Sequence, residues 1–192
     1  MKLKDGLCLI LIIIFISGCS SSAKLSQLKE RIDEAVENKD SSICDSIEEQ
    51  GWKDGCYKEV GGIMQNLEIC NKISDKMQKD ECYGYVATVG NDLELCGEIV
   101  DAGWKDWCYG RIALTRKSQE ICAMIANLEA KDICYKDIAA EKTDSDICAN
   151  IKTTTMRDEC YGYIAIIQQD LELCDKIESP ARKNQCVNGV VI

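Results

Sequence analysis

Residues 66–91 read NLEICNKISDKMQKDECYGYVATVGN, and this stretch decides the fold because its pattern recurs. Cys70 and Cys82 lie 12 residues apart within it, and the next pair, Cys96 and Cys108, begins 14 residues after Cys82. In both directions the alternation of 12 and 14 holds from Cys44 to Cys186, so the period is 26 residues. Six repeats start at Asp40, Asn66, Asp92, Ser118, Asp144 and Asp170. A fixed period of this size is the mark of a solenoid-type array.

Other columns travel with the cysteines. The opening residues are Asp, Asn or Ser, which favour helix N-caps because a short side-chain oxygen reaches a free backbone N–H. Ile or Leu, Cys and then Ile follow, as in Ile69-Cys70-Ile73. Apolar residues four apart after a cap predict a first helix of about two turns, some eight residues. Asp75, Asp101, Asn127, Thr153 and Ser179 supply a second cap nine residues later, with Glu49 the weak case. Pro180 stands at a first helical position, where its missing N–H costs nothing. The second helix carries a basic residue, an Asp, the second Cys, a Tyr and a Val/Ile-Ala pair. The expected fold is all-α, an α-solenoid of six 26-residue helical-hairpin repeats.

A short first helix does not persist alone in water, so stacking and the cysteines must hold it. Pairing within repeats joins Cys44–Cys56, Cys70–Cys82, Cys96–Cys108, Cys122–Cys134, Cys148–Cys160 and Cys174–Cys186 and leaves no orphan. Pairing between repeats strands Cys44 and Cys186. The hairpin favours the first scheme, and each bridge closes a loop worth about 3 kcal/mol on chain-entropy grounds. No closely spaced pair such as C-x-x-C occurs, so the expectation is no metal, no cofactor and structural disulfides formed outside the cytoplasm.

Composition removes several functions. The 192 residues include 33 Asp+Glu against 23 Lys+Arg, a net charge of −10, and no His. Without His there is no usual nucleophilic triad. An acidic chain also lacks the clustered cations that neutralise phosphates, so nucleic acid is not an expected partner. Acidic residues recurring in every repeat read as caps, and a two-carboxylate hydrolase is the weaker alternative.

The N-terminus reads MKLKDGLCLILIIIFISGC: a positive start at Lys2 and Lys4, an apolar run over Leu7 to Ile16, then Ser17-Gly18-Cys19. The run is about half the length a spanning helix needs. Ile16-Ser17-Gly18-Cys19 resembles the lipobox of prokaryotic lipoproteins. That resemblance implies cleavage after residue 18 (removing Cys8), acylation of Cys19 as membrane anchor, and an extracytoplasmic location. The implied organisation is 1–18 signal peptide, 19–39 tether and N-terminal helix, and 40–192 the array. The repeats are similar in architecture to cysteine-rich Sel1-like proteins and tetratricopeptide solenoids; those repeats are longer, so no residue roles carry over.

Comparing repeats separates constant from varying positions. Tyr57, Tyr83, Tyr109, Tyr135 and Tyr161 form a regular column expected in the core. The Lys/Arg-Asp pairs, such as Lys131-Asp132, suggest an exposed charge ladder that sets register. Gly84, Gly110 and Gly162 suggest close approach of the next repeat. On the opposite arc of the second helix the residues vary, and free variation in an array marks solvent or ligand. Trp107 and Ile133 share one position in adjacent repeats, and Tyr85, Arg111 and Tyr163 extend the strip. Trp, Tyr and Arg dominate interface hot spots, so this strip is the candidate surface for a protein, peptide or envelope polymer; a ligand-free envelope spacer is the alternative. Leu25, Leu28, Ile32, Ala35 and Val36 predict a helix that caps the first repeat or pairs in a dimer. The apolar end Val190-Val191-Ile192 is either packed or an association site.

Overall fold

Each repeat begins where the helix before it ends, and one residue serves both events. In the computed structural model, which describes the backbone of residues 5–191 and the side chains of residues 22–191, Gln65 turns into the left-handed region with φ of 52°. The next N–H, that of Asn66, then donates back to the Gly61 carbonyl at 3.0 Å. The side chain of Asn66 meanwhile accepts from the Glu68 N–H at 2.9 Å and starts the following helix. This is a Schellman closure fused to an N-cap. Asp92, Asp144 and Asp170 repeat both halves. The left-handed residues are Lys39, Gln65, Asn91, Lys117, Thr143 and Gln169, and none is glycine. Ser118 holds the same backbone position, but its hydroxyl donates to Glu120 at 2.6 Å instead of capping.

The first helices of the repeats are α2 (Ser42–Asp45), α4 (Leu67–Asn71), α6 (Leu93–Glu98), α8 (Gln119–Cys122), the 3-10 helix Ser145–Asn150 and α11 (Leu171–Cys174). They run only four to six residues, shorter than the eight expected, because the chain leaves the helix to bury the Ile that follows the cysteine. Ile47, Ile73, Ile99, Ile125, Ile151 and Ile177 are all buried. The second helices are α3 (Gln50–Met64), α5 (Lys76–Gly90), α7 (Ala102–Arg116), α9 (Leu128–Lys142), α10 (Thr154–Gln168) and α12 (Pro180–Val191). Asp75, Asp101 and Asn127 cap theirs through side-chain oxygens. Glu49 and Thr153 stand at the cap position without such a bond, and Pro180 opens α12 as expected. The fold is thus an all-α repeat array of solenoid type, six helical hairpins each closed by its own disulfide. Cys44–Cys56, Cys70–Cys82, Cys96–Cys108, Cys122–Cys134, Cys148–Cys160 and Cys174–Cys186 are bonded, with Cα separations of 5.6–5.7 Å that suit a disulfide.

The chain divides into two compact units, Met1–Cys82 and Tyr83–Ile192. In the first, α1 (Asp5–Asn38) packs on α2 and α3, and α3 packs on the short helices before and after it. The close of α1 copies the close of a repeat: Ala35 is fully buried, Lys39 is left-handed, and the Asp40 N–H returns to the Ala35 carbonyl at 2.9 Å. Residues 22–38 therefore act as the capping helix, a second helix without its hairpin. Leu28, Ile32 and Val36 are half-buried and Leu25 is exposed. The side chains of Cys8 and Cys19 lie outside the described residues, as do residues 1–4 and Ile192. Among the described residues no helix is long and apolar enough to cross a membrane.

In the second unit each long helix touches the short helices before and after it and the next long helix, giving the order α7, α9, α10, α12. Tyr109, Tyr135 and Tyr161 are buried, as is Tyr57 in the first unit, and Tyr83 is half-buried. Val190 is half-buried, and Val191 at 70% exposure remains uncovered.

The paired Asp residues overturn the expected charge ladder. Asp54, Asp80, Asp106, Asp132 and Asp158 are buried, not exposed. Asp132 accepts from the N–H groups of Lys152 and Thr153 at 2.9 and 2.8 Å, in the turn that opens the next long helix. Asp54 holds Ser74 and Asp75 in the same way, Asp106 holds Ala126 and Asn127, and Asp158 holds Glu178 and Ser179. The carboxylate meets backbone donors that no helix bond satisfies, so each is a clamp between consecutive repeats. The cation beside Asp158 does other work: Arg157 pairs with Glu178 at 2.6 Å and donates to the Ile151 carbonyl. Burial opposes ionisation of Asp132, but the hydrogen bonds from Lys152 and Thr153 prevail and hold its carboxyl below the ordinary range.

Candidate binding face

The residues left free by stacking lie on the outer side of the long helices. On α7 they are Trp104, Trp107, Arg111 and Leu114, spaced three and four apart and so on one helical face. Tyr85, on the preceding long helix, completes an aromatic cluster. Its ring centroid lies 6.0 Å from Trp104 and 5.5 Å from Trp107, and the two indoles are 5.3 Å apart. All three contacts are edge-to-face, the arrangement aromatic quadrupoles prefer. Each ring fixes the other two, while Tyr85 remains 40% exposed and both indoles are partly open to solvent.

A glycine gives the cluster room. A Cβ at Gly84 would stand 3.3 Å from the Trp107 indole, so a larger residue there would press on the ring. Gly110 and Gly162 differ from expectation: a Cβ would meet Ile125 or Ile177 at 3.8 or 3.6 Å, ordinary contact distances that do not require glycine.

The next long helix, α9, places Ile133 at the position of Trp107, 40% exposed. α10 follows, and Tyr163 on it is 52% exposed. Between α9 and α10 runs a cleft of about 390 Å³, mostly apolar, lined by Lys136, Asp137, Ala140, Glu159, Cys160 and Tyr163. Glu159 is already engaged, by Arg182 at 3.0 Å and by Lys136 at 3.9 Å. Asp137 has no hydrogen-bond or ion-pair partner among the described residues. Although it keeps contact with water, burial pushes its carboxyl up, against the opposing charge of Lys136.

The strip read from sequence is therefore present on the surface: Tyr85, Arg111, Ile133 and Tyr163 are exposed and Trp107 is half-exposed. Tyr85 and Trp107 are in contact, and Tyr163 belongs to the cleft two helices further on. Sequence comparison missed Trp104, whose column reads Trp52, Gln78, Trp104, Ala130, Met156 and Arg182. Its spacing of three from Trp107 was the available signal. It also missed Asp137, which carries no mark beyond its variable column. Among the described residues no group of three or more Cys, Asp or Glu is placed to hold a metal ion.

No family, curated protein or solved structure matches the chain. The chemistry of this face has to be read from its own residues.

Proposed function

We propose that the protein is a lipid-anchored extracytoplasmic binding module, whose repeats present the Tyr85–Trp104–Trp107 cluster, Ile133 and Tyr163 to a protein, peptide or envelope polymer. The observation that carries this reading is the aromatic cluster. Three large rings held against one another and left open to water form a preorganised contact surface, which loses little side-chain entropy on binding. A spacer without a ligand has no use for it. Six disulfides belong to an oxidising compartment. The charged start, apolar run and Ser17-Gly18-Cys19 support a leader cut before an acylated Cys19. The acidic body has no polybasic patch to dock on anionic headgroups, so the lipid alone holds it to the membrane.

Two measurements test the proposal. Metabolic labelling with a tagged fatty acid is expected to mark the wild-type chain, and Cys19→Ser is expected to abolish the label and release the protein from the membrane fraction. Pull-down from envelope extract is expected to retain a partner that Trp107→Ala and Tyr163→Ala each lose. Binding that survives both substitutions removes the strip from consideration.

A further inference from the structure

We infer that the cleft between α9 and α10 receives the cationic side chain of a lysine- or arginine-bearing partner segment, with Asp137 as counter-ion and the Tyr163 ring beside the cation. The inference rests on the binding reading above and names the partner's chemistry.

Four observations converge on a cation. The first is size: about 390 Å³ admits one long side chain and not a folded element. The second is lining. Ala140 and Cys160 offer apolar surface to an alkyl stem, and such stems bury readily while the charged head stays at the rim. The third is how the charges within the cleft are paired. Glu159 takes both Arg182 and Lys136 as ion-pair partners, which leaves the Asp137 carboxylate with no ion pair of its own although the four charges balance. An incoming cation would meet a carboxylate that burial already disfavours as a bare charge. The fourth is Tyr163, whose exposed ring can take a cation on its face. The protein uses that chemistry elsewhere: Lys72 lies over the Tyr57 ring at 5.2 Å, and Lys176 over Tyr161 at 5.4 Å.

Long-range forces act in the same direction. A net charge of −10 steers basic segments toward the surface and repels acidic ones, in a salt-dependent way. Ile133 on α9 and the indoles on α7 then offer apolar contact next to the charged anchor. Arg111 is the one cation in the strip, which disfavours a uniformly basic partner. The fitting segment carries a single Arg or Lys at the cleft and apolar or aromatic residues along the strip.

The test uses the full chain in detergent micelles, with a fluorescent peptide carrying one central arginine flanked by leucine and tryptophan. The control peptide has citrulline in place of arginine, which keeps the shape and removes the charge. The arginine peptide is expected to bind about threefold more tightly than the citrulline peptide, the order expected of a charge pair that stays open to water. Asp137→Asn is expected to erase that difference while leaving circular dichroism unchanged, because the residue is partly exposed. Equal binding of both peptides to wild type overturns the inference, and so does a preference that persists in Asp137→Asn. If the peptides bind equally and Trp107→Ala weakens both, the strip stands and only the cationic pocket falls. If neither peptide binds while a neutral envelope glycan is captured through Trp107, the partner class is wrong. If no probe depends on Trp107 or Tyr163, both readings fail together.

Discussion

The two sides of a long helix in this protein obey different rules. On α9 the inner side holds Asp132, Cys134, Tyr135, Ile138 and Ala139, all buried. Equivalents recur with little change on α7 and α10. One or two residues away on the same helix, Ile133 and Asp137 face water, and their equivalents are Trp107 and Arg111 on α7 and Glu159 and Tyr163 on α10. The inner side repeats because each hairpin must fit the next one. The outer side carries no such demand, so its chemistry is set by something other than folding. Stability and recognition are thereby separated on one element, and substitutions on each side must report on one property only.

The largest expected effect comes from the crosslink. Replacing Cys122 and Cys134 together by Ala is expected to cost about 3 kcal/mol in urea unfolding, since a short first helix then depends on stacking alone. Next is the clamp. Asp132→Ala leaves the Lys152 and Thr153 N–H groups without their buried acceptor and is expected to cost about 2–3 kcal/mol. Asp132→Asn keeps one acceptor and is expected to lose about half as much. These variants also separate in acid. The folded pKa of Asp132 lies below its unfolded value, so the clamp's stabilisation is complete above the ordinary carboxylate range and vanishes as pH falls through the depressed value. Wild type is therefore expected to lose stability below about pH 4 more steeply than Asp132→Asn. Equal slopes in the two chains would show that the clamp is not ionised.

The array and its disulfides were legible because sulfur spacing is a one-dimensional signal: an unbroken alternation of 12 and 14 leaves only two pairing schemes. The clamp was not legible, for a physical reason. Asp132 follows Lys131, and adjacent opposite charges suggest an ion pair, whereas the true partners are backbone N–H groups 20 and 21 residues on. Backbone donors have no residue identity and leave no trace in sequence. The helix ends were hidden in the same way, since only Asn91 among the six left-handed residues belongs to the types that favour that region. Of the candidate face, the columns of Trp107 and Tyr85 were visible as variation. The cluster and the cleft were not, because both depend on how rings and carboxylates from successive helices meet.

A smaller effect of opposite sign tests whether the inner side is optimised. Thr143 holds φ of 53° as a β-branched residue, a conformation that crowds its Cβ against the backbone. Its backbone carbonyl accepts from the Gln168 side chain at 2.8 Å, a bond that survives substitution of the threonine side chain. Thr143→Gly is therefore expected to stabilise by about 0.5–1 kcal/mol, the relief of strain exceeding glycine's greater unfolded-state entropy. A loss of stability would mean that the threonine side chain itself supports the turn.

The smallest expected effect sharpens the comparison most. Ile133 is 40% exposed and adjoins the clamp residue Asp132 in sequence, yet it points to the other side of α9. Ile133→Ser is expected to change unfolding free energy by no more than about 0.5 kcal/mol, the usual range for a surface position. The same substitution is expected to weaken capture by the strip, because it removes apolar surface between the aromatic cluster and the cleft. Two neighbouring residues would then give opposite readouts, Asp132 in stability and Ile133 in binding. If Ile133→Ser instead destabilises the fold as Asp132→Ala does, the outer face is part of the stacking, and its variation from repeat to repeat records packing and not a partner.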